Sequence, residues 1–324
     1  MNETYKKLQE FGKVKTGELM SKNTTFKIGG PADYFIIVEE NDKLVELLKY
    51  LQGEGLEYFI LGGGSNILVN DGGFKGVVIR MQNTSCEIQD DIVIVESGCT
   101  MAKLTQTAMK EKLLGMEWSV GLPGTIGGAV RGNSAYSGKY TADVVEKVEV
   151  FRDGEILEIS QTECEFSNKE SIFKHNTDII LRVWVKLRKI TSEQDLLDSR
   201  KEMMEQIKYR TCGQPTKSPS AGCAFKNYVI KNEEEKAKFK NIITEEKILN
   251  ILEKYGKVPV GWMIDNLGLK GKQVGGAKIS DDHANFIINF DNAKAEDVIN
   301  LINEVKDAVR DKFGVEIEEE VQIV

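Results

Sequence analysis

Two runs of glycine and one thiol are the residues of this chain whose types and spacing could do chemistry. The first run, ILGGGSNILVNDGGFKG, sets Gly62, Gly63 and Gly64 directly after an apolar stretch and follows them with Ser65 and Asn66. Glycines let backbone N–H groups converge on an anion, and the hydroxyl and amide add donors, a set that suits a pyrophosphate. The run is not a Walker loop, because GK[ST] is absent, and Ile67 stands where a GxGxxG dinucleotide fingerprint needs its last glycine. A tight strand-to-loop turn is the open alternative. The second run, VGLPGTIGGAVRGNSAYSG, supplies Gly121, Pro123, Gly124, Thr125, Gly127 and Gly128. So much glycine limits core packing and implies close approach by a large ligand or by another backbone. Two such runs favour a sizeable phosphate-bearing cofactor over a pair of structural turns.

The thiol is Cys223, in SAGCAFKN, and its type alone leaves nucleophile, metal ligand, proton donor and small apolar filler all open. Cys86, Cys99, Cys164, Cys212 and Cys223 are odd in number and widely spaced, with no CxxC, and His175 and His283 are the only histidines. Neither a disulfide framework nor a metal site is indicated, and metal-free chemistry is the expectation. Near the C-terminus Glu316, Glu318, Glu319 and Glu320 crowd one stretch, which by itself reads as a solvated acidic strand end.

The elements that must position these residues are mixed. A strand over 34–40 precedes a helix over 41–52 with Asn41 as a cap and Leu44, Leu47, Leu48 and Leu51 on one face. A short strand leads into the first glycine run. A strand pair around Asp90-Asp91, a helix over 100–113, a hairpin turning at Asp153-Gly154 and a strand over 178–187 follow. A charged helix over 192–210 has the look of a connector. Beyond it come a charge-rich helical stretch over 232–256, a strand ANFIINF, an amphipathic helix over 295–313 and a terminal strand. This divides the 324 residues into an N-terminal α+β region, 1–192 with its core at about 29–190, and a smaller one, 193–324. A net charge of −8 argues against nucleic acid as the main partner, and no apolar run is long enough for a signal peptide or a membrane span, so a cytoplasmic location is expected.

In order along nearly the whole chain, NTTFKIGGPA, LGGGSNILV, GLPGTIGGA, YR and QP, PSAGCAFKN, GWMIDNLGLKG, GGAKISDDHANFIIN and IEEEV resemble the UDP-N-acetylenolpyruvoylglucosamine reductases, often called MurB. The resemblance implies an α+β fold in which a vanillyl-alcohol-oxidase-type (PCMH-like) FAD-binding domain is followed by a smaller α+β substrate-binding domain. It implies non-covalent FAD, NADPH as reductant, and UDP-N-acetylglucosamine enolpyruvate as substrate, reduced to UDP-N-acetylmuramate for peptidoglycan. Residues 62–66 would hold the FAD pyrophosphate, and Pro123, Gly124, Thr125, Gly127 and Gly128 would line the flavin.

The resemblance also implies roles for single residues. Cys223 takes the place of a serine that gives a proton to the substrate, and a thiol is the stronger acid. Glu320 would sit at the substrate carboxylate. The family's Tyr-Arg before Ser-x-Phe-Lys is here Asn168-Lys169, which keeps a charge and loses the planar fork of arginine. Arg210, Gln214 and Asn227 match substrate-binding positions, and Lys226 adds local positive charge. N-S-A-Y-S-G over 133–138 departs from the family pattern, and 228–257 reads as a solvent-facing helical insertion. The alternatives are an FAD oxidoreductase of the same fold with another substrate, or a non-catalytic UDP-sugar or flavin-binding relative. His283, Trp118 and Trp262 are expected to be structural.

Overall fold

The computed structural model describes residues 3–136 and 138–324, so Ser137 of the N-S-A-Y-S-G stretch lies outside the described residues. The chain folds into two compact units. One comprises the N-terminal stretch to Leu19 with Pro31–Ser65 and Gly73–Cys212, and the other Met20–Gly30, Asn66–Gly72 and Gly213–Val324.

In the first unit, β-branched runs make two sheets. Strand Pro31–Val38 is flanked antiparallel by Lys13–Leu19 and parallel by Phe74–Met81, which takes Tyr58–Leu61 in parallel on its other edge. Parallel neighbours need a crossover, and helix Asn41–Gly53 follows Pro31–Val38 to supply it. Its Leu44, Leu47, Leu48 and Leu51 are fully buried in one cluster with Ile36, Val38, Val77 and Ile79. Asn41 is not the cap. Glu40 holds that position, and the Asn41 side chain accepts from Asn83 Nδ2 at 2.5 Å, because the buried Asn83 needs an acceptor.

The second sheet is antiparallel throughout, in the order Glu155–Ser160, Val145–Arg152, Ile179–Lys186, Ile92–Glu96, Cys86–Gln89. Asp153 and Gly154 turn its hairpin with φ of 49° and 91°, as a two-residue turn between right-twisted strands requires. Its apolar face shares a core with helices Met101–Lys110 and Ile126–Arg131. The helix expected to reach 113 stops at Lys110: Lys112 turns left-handed at φ 57°, and Leu113–Leu114 pairs as a strand with Arg188–Lys189. Helix Glu193–Gly213 buries only Ser199 among its described residues, and Ser199 Oγ donates to the buried Glu117 carboxylate at 3.0 Å.

The second unit has an antiparallel sheet ordered Ser220–Cys223, Phe286–Asn289, Ala277–Ile279, Gln273–Val274. Helix Ala295–Phe313 buries Val298, Leu301, Ile302, Val305, Val309 and Phe313, and Asp71 accepts from Ala295 N at 3.1 and 3.0 Å at its start. Phe26, Ile28 and Leu68 belong to the same core. The charge-rich stretch is two helices, Glu233–Ile242 and Glu246–Tyr255, and only its outer side faces solvent. Phe239 and Leu252 are fully buried, with Phe239 stacked on Phe313 at 6.2 Å, so amphipathic packing overrides the charge count. The expected terminal strand shrinks to Gln322–Ile323, which pairs in parallel with Ile67–Leu68, preceded by a single bridge from Glu319 to Phe225. Trp118 and Trp262 are buried. His283 accepts from Asn285 N at 3.2 Å and packs on Phe286, with burial pushing its pKa down.

Candidate functional site

In the first unit the two glycine runs face each other. Strand Tyr58–Leu61 delivers Gly62, Gly63 and Gly64, the last with φ of 62°. A Cβ on Gly62 would meet Thr125 Oγ1 at 2.6 Å, one on Gly63 would meet Gly124 Cα at 2.6 Å, and one on Gly124 would meet Ser65 Oγ at 2.9 Å. Ser65 Oγ donates to the Pro123 carbonyl at 3.3 Å. Thr125 caps helix Ile126–Arg131 by accepting from Gly128 N at 3.3 Å, and Gly127 donates to the Ser97 carbonyl at 2.9 Å. A Cβ on Gly127 would come within 2.8 Å of Ser97 Cβ, whereas Gly128 has nothing nearer than 3.5 Å. These runs therefore meet backbone to backbone, and the lining they offer is main chain and short hydroxyls.

Beside the second run, a two-residue strand, Ala135–Tyr136, carries two cations. Lys169 Nζ donates to the Ala135 carbonyl at 3.5 Å. Lys169 itself is left-handed at φ 61° in a turn closed both ways between Ser167 and Glu170, a conformation disfavoured for a long side chain. The Arg210 guanidinium lies over the Tyr136 ring at 4.5 Å, and Tyr209 meets that ring edge-on at 5.6 Å. The Arg210 stem passes Gly121, whose added Cβ would come within 3.2 Å of Arg210 Cδ. Burial pushes the Tyr136 phenol up to about 12.

In the second unit Gly222, at φ 80°, turns the chain into Cys223, whose partly buried thiol side chain leaves a strand end paired with Phe286. The next residue, Ala224, accepts from Glu320 N at 2.8 Å, and Asn66 Nδ2 donates to the Glu320 carbonyl at 2.9 Å. Lys226 donates to the Glu318 carboxylate at 3.0 Å. Asn285, buried, grips Phe225 through both its amide groups, at 3.1 and 2.8 Å, and Thr25 Oγ1 donates to Ser220 O at 2.7 Å.

Three groupings result: Gly62, Gly63 and Ser65 with Pro123, Gly124 and Thr125; Lys169 with Arg210 along Ala135–Tyr136; and Cys223 with Glu320 and Asn66. Asn66 thus joins the thiol's unit and not that of the run it was read with. Of the expected substrate-binding residues, Asn227 and Gln214 stand apart from these groupings. The Asn227 side chain accepts from Val260 N at 3.4 Å, and Gln214 follows the end of helix Glu193–Gly213, its carbonyl accepting from Thr216 N at 2.8 Å. Asn285 and Tyr136 escaped the reading of the sequence. Asn285 lay inside a quoted motif, HANF, and Tyr136 inside a noted departure, N-S-A-Y-S-G, but neither motif says which main chain or side chain it will meet.

Comparison with known proteins returned two family models: the "UDP-N-acetylenolpyruvoylglucosamine reductase, C-terminal domain" over residues 214–324 and an "FAD binding domain" over residues 32–160. A UDP-N-acetylenolpyruvoylglucosamine reductase of Caldanaerobacter subterraneus subsp. tengcongensis is 35% identical over 98% of this chain and 96% of that protein. One of Clostridium tetani is 35% identical over 96% of this chain and 92% of its own length. Among solved structures, the reductase of Thermus caldophilus matches with a TM-score of 0.74 and 31% identity, covering 96% of this chain and 99% of that one.

Proposed function

Because the chain belongs to the UDP-N-acetylenolpyruvoylglucosamine reductase family and is thereby an FAD-dependent oxidoreductase, we propose that it reduces UDP-N-acetylglucosamine enolpyruvate to UDP-N-acetylmuramate, with NADPH as reductant and in the cytoplasm. The fit of FAD rests on the facing glycine runs. Side chains at Gly62, Gly63 or Gly124 would strike the opposite run, and the lining of main chain with the short Ser65 and Thr125 side chains suits a diphosphate and an uncharged ring edge. Held by these runs, FAD would supply the hydride chemistry that links NADPH to C3 of the enolpyruvyl ether.

The chain's own part is to orient the substrate and to protonate C2. The observation that carries this reading is the pair of hydrogen bonds at residue 320. Ala224 accepts its N–H and Asn66 donates to its carbonyl, at 2.8 and 2.9 Å, so the main chain of residue 320 lies beside that of Ala224, the residue after Cys223. In this reading the Cys223 thiol gives its proton to C2, the C–H bond forming as the S–H bond breaks, and solvent restores the thiol. Glu320 sits at the substrate carboxylate, and the Lys169 cation draws charge from the developing enolate. A single-point ammonium orients a carboxylate less firmly than a guanidinium, so the lysine lowers rate more than affinity. Arg210, Gln214 and Asn227 bind the UDP portion.

Anaerobic half-reactions test the proposal. NADPH bleaches the flavin of the purified protein, and the enolpyruvyl substrate restores its colour. Cys223→Ala keeps the first step and slows the second by about a hundredfold. Equal loss in both steps removes the proton-donor role. The Asn168-Lys169 replacement favours one rival, an oxidase of the same fold. Reduced protein that oxygen reoxidises and the enolpyruvyl substrate does not would establish it.

A further inference from the structure

We propose that Tyr136 is a positioning residue for substrate affinity, acting by holding the Arg210 guanidinium flat against its ring. The inference deepens the proposed function, since it rests on Arg210 binding the substrate's anionic portion. Four observations carry it. The guanidinium carbon stands 4.5 Å from the Tyr136 centroid, within the range of an effective cation–π contact. Arg210 Nε and Nη2 are shielded from solvent, which strengthens such a contact by removing competing water. The ring is itself braced edge-on by Tyr209, the residue before Arg210 on the same helix. The arginine stem also passes Gly121, where φ of 74° disfavours any side chain and an added Cβ would crowd Arg210 Cδ at 3.2 Å.

An arginine has four rotatable side-chain torsions, and an unrestrained one gives up that freedom when it grips an anion. With its stem beside a glycine and its guanidinium on an aromatic face, the Arg210 fork is ordered before the substrate arrives, and the ordering cost falls outside the binding step. Because burial holds the phenol up at about 12, the ring stays neutral throughout the working pH range and its face keeps the quadrupole the cation needs.

The test is calorimetric titration of the oxidised FAD-loaded protein with UDP-N-acetylglucosamine enolpyruvate, where no turnover occurs because NADPH is withheld. Tyr136→Leu weakens binding about tenfold. Tyr136→Phe, which keeps the face and loses the hydroxyl, stays within about twofold. In an Arg210→Met background, Tyr136→Leu has no further effect, because nothing is left to position. Flavin absorbance and melting temperature report folding. If Tyr136→Leu does not fold, pentafluorophenylalanine in place of Tyr136 keeps the shape, reverses the charge of the ring face and gives the same loss.

Binding unchanged in Tyr136→Leu, a Tyr136→Phe loss as large as that of Tyr136→Leu, or losses that simply add in the Arg210→Met background would each overturn the inference. Normal binding by Arg210→Met also overturns it, together with the role given to Arg210. Failure of the wild-type protein to bind the substrate sinks the underlying function instead, so the two failures are told apart.

Discussion

Residue 223 is one of five cysteines, and what separates it from the others is its surroundings. Cys99 and Cys164 are fully buried among apolar side chains, where desolvation pushes their pKa values up to about 11 and about 12. Both therefore stay as thiols near neutral pH, and thiols are poor nucleophiles. Cys212 is exposed at the end of a helix, and Cys223 is partly exposed at a strand end. Iodoacetamide applied to the native protein at pH 8 labels Cys212 and Cys223 and leaves Cys99 and Cys164 unmodified, as peptide mass mapping will read. Labelling of the buried pair at the rate of Cys212 would contradict their burial. The role proposed for Cys223 depends on a neighbour 97 positions away, Glu320, and no property of SAGCAFKN announces it.

Helix Glu193–Gly213 bears Arg210 near its end, yet its apolar contacts are few, so its start must be secured by polar groups. Ser192 and Asp195 cap reciprocally: Asp195 accepts from Ser192 N at 3.2 Å, and Ser192 Oγ accepts from Asp195 N at 3.1 Å. Hydrogen bonds from the Thr191 N–H and hydroxyl, then the Arg188 guanidinium, hold the Asp195 carboxyl well below the usual carboxylate range. A carboxyl more acidic folded than unfolded contributes its full stability above the unfolded pKa of about 4 and loses it as pH falls through the folded value. Asp195→Asn therefore lowers the melting temperature most above about pH 5, and the gap from wild type closes as pH falls below about 3. Melting curves across that range check it. A gap that stays constant would mean the carboxylate charge is not what the cap uses.

At the scale of the whole molecule, the second unit is assembled from three separated stretches of chain. Phe26, Ile28 and Leu68 are buried in its core, Asp71 holds the first N–H groups of helix Ala295–Phe313, and Ile67–Leu68 pairs with Gln322–Ile323. Losing one buried phenylalanine costs about 3–5 kcal/mol, comparable to the total stability of a small domain. A fragment of residues 213–324 made alone thus lacks part of its core, one helix cap and one strand partner. It will show no cooperative thermal transition by circular dichroism, and adding a peptide of residues 20–30 alone will not restore one. A sharp transition from the bare fragment would show that those inserted stretches are dispensable.

Local periodicity is written in the chain itself: the leucines of helix Asn41–Gly53, the full extent of helix Ala295–Phe313 and the Asp153-Gly154 hairpin follow from spacing and turn chemistry within a dozen residues. The ordered motifs likewise marked the family, because a ligand-holding backbone tolerates few residue types. What the sequence could not determine was every feature settled by distant partners. Asn41 left its cap for Asn83, charged helices buried Phe239 and Leu252, Asn66 joined Glu320, and Arg210 found the face of Tyr136. Propensity and pattern act over a few residues, whereas these choices compare a local preference with a contact made dozens or hundreds of positions away, and only the folded chain brings both terms into play.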